Sequence, residues 1–299
     1  MTITATIIAD SISPEDVRLT TMQLRYPKFI HGEFMTHRVF SRNASSSRAI
    51  PVLRLTEDVE RDPAMPVFWG SNKPGMQAGT ELTGHDLENV KHRWLAARDD
   101  AVKWAQRMLE FNAHKQIVNR IIEPWCHINV VVTATEWANF YALRRHPDAQ
   151  PEMKALADAM WATQQASTPT LLQPGKWHLP YVNEWTEDLV DRQSFHEHEV
   201  QDKLIKLSVA RCARVSYLTH EGKSPSIESD LALYDRLVGS VPLHASPAEH
   251  QATPDTGIGR IEHNGMVVDE RWNHPHEHGN LTGWRQFRRM LPNESVRDR

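Results

Sequence analysis

The spacing of apolar positions changes several times along the chain, and each change marks an element. Residues 3–8 and 19–25 alternate or run apolar with β-branched content, which predicts two strands. Over 86–110, Leu87, Val90, Trp94, Ala97, Ala101, Trp104 and Met108 recur at steps of three and four. That spacing predicts an amphipathic helix whose tryptophan stripe faces a core. The short β-branched run INVVVTA at 128–134 predicts a buried strand. Helices are expected at 136–145 and 149–166, parted at His146-Pro147 because a residue before proline is pushed out of helical conformation.

Periodicity then fades. Residues 167–199 carry Pro169, Pro174, Gly175 and Pro180 and read as a connector. A helix is expected over 200–213. Another starts at Ser226, which suits an N-cap, has Glu228 and Asp230 in its first turn, and closes at Gly239. After His250 the chain reads as a polar, irregular tail with a helix at 281–290. The expected fold class is α+β, a mixed sheet flanked by helices. Its parts are 1–166, the connector 167–199, 200–250 and the tail 251–299, all within one structural domain.

Composition narrows the function classes. With 299 residues, 40% hydrophobic and 24% charged, the chain has the make-up of a soluble globular protein with a sizeable core. Lys plus Arg number 34 against 38 Asp plus Glu, a net charge of −4, which argues against a general nucleic-acid binder. No window approaches the roughly 20 apolar residues of a membrane span, so no membrane partner is expected. The start, MTITATIIADSISPED, has neither a basic head nor a sustained apolar stretch, and a cytoplasmic location is the expectation. Cys126 and Cys212 suggest reduced, buried thiols, neither with the context of a nucleophile.

The densest chemistry lies at 36–48, THRVFSRNASSSR. Arg38, Arg42 and Arg48 with Ser41, Ser46, Ser47 and Asn43 suit an oxyanion, because planar guanidiniums match phosphate bidentately and serines add short hydrogen bonds. A solvated serine-rich loop is the bland alternative. Several histidines invite a metal reading. The string HASPAEH at 244–250 lacks the helical H-E-x-x-H arrangement, however, and Pro247 predicts a turn or helix start. His196 with His198, and His274, His276 and His278, read as solvated loop, so no metal site is assigned. No G-x-G-x-x-G follows a strand, GIG at 257–259 lacks its third glycine, and no P-loop sequence occurs.

The segment 36–48 resembles the R-H-R-x-x-S-x-N-x-x-S-x-R signature of the flavin-dependent thymidylate synthases. WANFYALRRHPDAQPE at 137–152 resembles that family's N-F-x-x-L-R followed by A-Q-x-E. ARVS at 213–216 and HASPAEH at 244–250 resemble its A-R-V-S and H-x-S/T-P-x-E-H elements. In the family those two elements precede the phosphate motif, whereas here they follow it. The chain is therefore similar to a circular permutant, which is feasible where the original termini lie close together at the surface.

The resemblance implies FAD as cofactor, NADPH and methylenetetrahydrofolate as co-substrates, dUMP as substrate and a homotetramer. It assigns Ser46, Ser47 and Arg48 to the nucleotide phosphate, and Glu33 to the nucleotide. Arg120 reads equally as a nucleotide contact or as a helix-terminal arginine. Arg144 inherits the position facing the uracil ring, where a fixed cation favours loss of the N3 proton and makes C5 nucleophilic; Arg145 could take a surface salt bridge instead. His37, Arg38, Asn43, Asn139, Ser216, His244, Ser246 and Glu249 match flavin contacts. The chain departs from the family at Thr36 for arginine, Ala44 for glutamate, Ala49 for an aromatic and Glu33 for glutamine. An ionised Glu33 only accepts hydrogen bonds, which leaves uracil and cytosine both open. A pyrimidine-nucleotide hydroxymethylase, a metal-dependent hydrolase and an inactive nucleotide binder are the competing readings.

Overall fold

Two long strands set the frame in the computed structural model, which describes residues 3–191, 196–215, 225–263, 266–292 and 294–295. β1 (Thr4–Ile12) and β2 (Arg18–Pro27) pair antiparallel. The chain then forms α1 (His31–Phe34), β3 (Ser41–Ala44), α2 (Val52–Arg61), α3 (Gly84–Glu110) and α4 (Lys115–Val118) before β4 (His127–Ala134). After α5 (Ala138–Arg144) and α6 (Pro151–Gln165), β5 (Thr170–Leu171) adds the last strand of the sheet. The order is β3-β4-β2-β1-β5, antiparallel throughout except for the parallel β1–β5 edge. The fold is a mixed-sheet α+β arrangement, as expected.

The register of β2 on β4 separates the two faces of the sheet. Met22 opposes Val132, Leu24 opposes Val130 and Tyr26 opposes Ile128, and all six are buried. α5 and α6 cover this face with Phe140, Met153, Leu156 and Met160. α6 begins two residues later than the apolar pattern suggests. Pro151 suits a first helical turn, and the Gln150 side chain accepts the Met153 N–H at 2.8 Å.

The opposite face is polar at its centre. There α7 (Glu184–Asp191), α8 (Glu197–Arg214) and α9 (Ile227–Val238) follow in the chain, and Cys212, Val215 and Tyr181 pack on Val131. Ser226 caps α9 by accepting the Ser229 N–H at 3.2 Å, as its sequence predicts. Between α8 and the sheet runs a buried chain of hydrogen bonds. Ser11 Oγ meets His178 Nδ1 at 2.8 Å, and His178 Nε2 meets Thr21 Oγ1 at 2.8 Å. Thr21 bonds Thr133 at 2.7 Å, and Thr133 bonds His250 Nδ1 at 2.8 Å. Burial pushes both histidines down to about 3, so they are neutral. The segment 167–199 thus carries β5, α7 and buried anchors, despite its weak periodicity.

Two expectations need correction. α3 exists, but its buried contacts are Val102 and Ala105, with Trp94, Ala101 and Met108 half-buried beside them. Trp104 stays 56% exposed, with Arg107 lying 5.2 Å from its ring centroid. A helix of this length spans about 40 Å, and its apolar stripe runs well past the part that meets α2 and the 119–125 turn. Nor is the tail irregular. β6 (Ala252–Pro254) pairs with β9 (Trp284–Gln286), β7 (Gly257–His263) pairs with β8 (Met266–Trp272), and α10 (Phe287–Met290) follows. Leu19, Ala252, Leu281 and Trp284 form its core, all fully buried. β6 and β9 are too short to show alternation, which hid them in the sequence.

Tail histidines also have structural work. Asp255 accepts from His274 Nδ1 and His278 Nε2, each at 2.9 Å. Burial would raise this carboxyl, but the two imidazoles outweigh it and hold it below the usual range. Among the described residues, no helix is long and apolar enough to cross a membrane.

Candidate active site

Arg144 closes α5 and is gripped from two sides. Its Nε–H donates to His37 Nε2 at 2.9 Å, and its Nη1 pairs with the Glu33 carboxylate. The rest of the guanidinium has no partner among the described residues. Arg145, the neighbouring candidate, is occupied elsewhere: it donates to Asp158 at 2.9 Å and lies 3.9 Å from the Trp161 ring centroid. Helical geometry separates the two, since consecutive residues point about 100° apart.

His37 is buried beside Phe140, edge-to-face with centroids 4.9 Å apart. Burial first, then Arg144 and Arg42, pushes its imidazole down to about 4. It is therefore neutral, with Nε2 accepting and the proton on Nδ1. Glu33 and Arg144 open onto a cavity of about 1020 Å³, whose aromatic walls are Phe29, Phe68 and Trp94. Glu33, His37 and Arg144 come from α1, the following turn and α5, and the fold brings these predicted residues together.

A second pocket, of about 380 Å³, opens beside the 36–48 segment. Arg38, Phe40, Arg42 and Glu249 line it, together with tail residues Gly279, Asn280, Gln286, Arg288 and Arg289. Residues 41–44, for which a solvated loop was the bland alternative, form β3 on the open edge of β4; their polar run gives no hydrophobic alternation to detect. Pro247 sits at the start of the short 3₁₀ turn Ser246–Glu249, as its second residue, and the turn packs on β3. Two predicted elements separated by about two hundred residues thus meet. Arg42 donates to the carbonyls of Met35 at 2.8 Å and His37 at 2.9 Å, and burial lowers its guanidinium from the usual value despite Glu249 nearby. Arg288 pairs with Glu249.

The third group surrounds Glu123. Ser47 Oγ donates to this carboxylate at 2.9 Å, Arg120 donates at 3.1 Å, and Lys28 pairs with it. Burial would raise Glu123, but the Lys28 and Ser47 bonds outweigh that and hold it low. Ser46 Oγ accepts the Arg48 N–H at 3.3 Å, while the exposed Arg48 guanidinium has no partner among the described residues. Buried Asn119 pins this loop by donating to the carbonyls of Ser47 at 2.7 Å and Ile50 at 3.0 Å. Sequence reasoning missed Asn119, which no motif marks.

The remaining predicted residues are dispersed. Asn43 donates to the Cys212 carbonyl at 3.3 Å and ties β3 to α8. Asn139, His244 and Ser246 are exposed. Ser216 lies outside the described residues. No hydrogen bond or ion pair among the described residues joins Ser46 or Arg48 to Arg144. Cys126 and Cys212 are buried and free; burial pushes the Cys126 thiol up to about 12 and raises Cys212 as well. Neither is poised as a thiolate. The tail residues lining the second pocket were also missed, although the RQFRR run at 285–289 was a legible signal.

Over residues 12–170, more than half its length, the sequence matches the family described as thymidylate synthase complementing protein. The chain belongs to that family. The matched region holds Glu33, His37, Arg144 and the Ser46–Arg48 loop, while Glu249 and the tail lie beyond it. No curated protein matches the chain. Solved structures similar to it include a UMP/dUMP methylase, PolB, from Streptomyces cacaoi bound with 5-Br dUMP. That pair shows 16% identity and a TM-score of 0.44 over 54% of this chain and 89% of the other. The same methylase bound with 5-Br UMP shows 18% identity and a TM-score of 0.43, over 54% and 88%.

Proposed function

We propose that this protein is a flavin-dependent thymidylate synthase, methylating dUMP to dTMP with methylenetetrahydrofolate as one-carbon donor and NADPH as reductant. The observation that carries the reading is Arg144, fixed by His37 and Glu33 at the edge of an aromatic-walled cavity. A uracil seated there would meet the open side of the guanidinium. As N3 loses its proton, charge spreads over the ring, and a preorganised cation stabilises that charge without reorganising. Neutral His37 holds the arginine by accepting from Nε, and so adds no competing charge.

The nucleotide phosphate belongs with Ser46, Ser47 and Arg48, whose exposed guanidinium matches an anion. Arg120 is the less available partner, because Glu123 already engages it. The second pocket has the cationic donors that a flavin nucleotide needs: Arg38 and Arg42 from the motif, with Arg289 from the tail in the same lining. When bound, the flavin supplies the hydride that completes the methyl group. The packing of Ser246–Glu249 on β3 supports a permuted order, in which late motifs complete an early one. A cytoplasmic homotetramer is the assembly expected for such an enzyme.

A specific observation keeps one alternative in view. The Glu33 carboxylate, paired with Arg144, can accept a hydrogen bond from cytosine's exocyclic amine. Purified protein should show flavin absorbance and convert dUMP, with both co-substrates, to a product of dTMP mass. A hydroxymethylated product, or turnover of dCMP alone, would replace the methylase reading with a hydroxymethylase. A colourless protein whose activity disappears with chelator would overturn both.

A further inference from the structure

The second pocket is incomplete without the tail, and the tail's contribution is specific. Asn280 Nδ2 donates to the Val39 carbonyl at 2.8 Å, inside the motif itself. Asn280 Oδ1 accepts from Ser41 Oγ at 3.1 Å and from Gln286 Nε2 at 3.0 Å. Gln286 also reaches the Glu249 carbonyl at 3.1 Å. One carboxamide pair therefore joins β3, the Ser246–Glu249 turn and the tail. Gly279 sits behind it at φ 60, and a Cβ there would lie 2.7 Å from Gln286 Oε1 and 3.3 Å from Arg289 Nε. The position needs glycine both for its backbone and for this close approach.

The charges around this wall do not cancel. Arg38, Arg42, Arg288 and Arg289 line the pocket with one carboxylate, Glu249. Arg288 and Arg289 share Glu294 from outside it, at 3.1 Å and 2.7 Å. Arg38 and Arg42 carry no ion pair among the described residues. Excess cations around a small polar cavity call for an anion, and guanidiniums from opposite walls suit one with several phosphate oxygens.

We propose that the tail, through Arg289 and the Gly279–Asn280–Gln286 wall, completes a diphosphate-binding pocket whose other wall is Arg38 and Arg42. Resting on the functional reading above, the ligand is the diphosphate of the flavin dinucleotide. The tail then selects the dinucleotide over forms bearing one phosphate or none. The matched family region, residues 12–170, ends well before these residues.

The test is titration calorimetry with FAD, FMN, riboflavin and inorganic pyrophosphate on full-length wild type, Arg289→Gln, Arg289→Lys and Gly279→Ala. Among the described residues Arg289 has one ion-pair partner, Glu294, so its variants should melt like wild type. Pyrophosphate should bind wild type and compete with FAD. Arg289→Gln should weaken both about tenfold, the usual scale for losing a charged hydrogen bond, and leave riboflavin unchanged. Arg289→Lys should recover part of the loss, and Gly279→Ala should weaken pyrophosphate without changing charge. If FAD binds Arg289→Gln as tightly as wild type, the tail proposal falls while the flavin reading stands. If pyrophosphate binding depends on Arg289 but no flavin binds wild type, the pocket stands and the flavin reading falls.

Discussion

Arg144 donates its Nε–H to Nε2 of His37 across 2.9 Å, and this single bond sets the state of both groups. It fixes the imidazole as the Nδ1–H tautomer and turns one side of the guanidinium toward Glu33. A lysine at 144 has no fork with which to hold both neighbours. Arg144→Lys should therefore fold normally, yet lower kcat about 10²–10³-fold, the range for removing one preorganised charge-stabilising donor. Steady-state kinetics with dUMP, alongside a thermal melt, checks this. Wild-type kcat in the lysine variant would end the assignment of Arg144 to ring activation.

The buried histidines make stability depend on pH in a defined direction. His178 and His250 titrate near 6.5 when unfolded but at about 3 in the folded protein. Between those values the unfolded chain binds more protons, so stability rises with pH. Their contribution is complete above 6.5 and is lost as pH falls through about 3. His37, at about 4, acts in the same sense. Denaturant melts from neutral pH down to pH 4 should show a steady loss in wild type. In His178→Gln the slope should be shallower, whatever the variant's absolute stability. An unchanged slope would contradict a neutral, buried His178.

Glu33 departs from the resemblance and is also the residue that pairs with Arg144. Replacing it by glutamine keeps the shape and removes the countercharge, while giving the side chain a donor as well as an acceptor. In Glu33→Gln the ratio of dCMP to dUMP affinity should shift toward dUMP, since cytosine's amine loses an ionised acceptor. Calorimetry with both nucleotides, on wild type and variant, measures the ratio directly. A ratio that stays constant would mean that Glu33 does not face the base.

Which features were legible in the sequence follows from how each is encoded. β2 and β4 were visible because Met22, Leu24, Val130 and Val132 pair across two strands long enough to show a pattern. The α9 cap was visible because Ser226 followed by acidic residues has a local cause. Arg144 and His37 were named from motif spacing, but no spacing could show that they bond each other or that Glu33 joins them. β3 escaped because its four residues are held by the edge of β4 and have little apolar content. The exposed side of α3 was misjudged because periodicity reports a stripe, not how far along the helix a partner reaches. The Asn280–Gln286 link depends on contacts across more than two hundred residues, which local pattern does not carry.

The tail supplies the sharpest contrast between pattern and packing. Trp284 is fully buried, clusters with Leu19, Ala252 and Leu281, and donates its Nε1–H to the Val17 carbonyl at 3.1 Å. Trp104 sits in a helix whose periodicity predicted burial, yet it is mostly exposed. Trp284→Ala should cost about 3–5 kcal/mol, as large-to-small changes in cores do. Trp104→Ala should stay within about 0.5 kcal/mol of wild type, as surface changes do. Urea unfolding of the two variants decides the matter. Because Trp284 lies in β9, two residues before Gln286, its loss should also weaken pyrophosphate binding at the second pocket, whereas Trp104→Ala should leave that binding unchanged. A cost for Trp284→Ala as small as that expected for Trp104→Ala would mean that the tail is not part of the packed body. The pocket it walls would then have no rigid support.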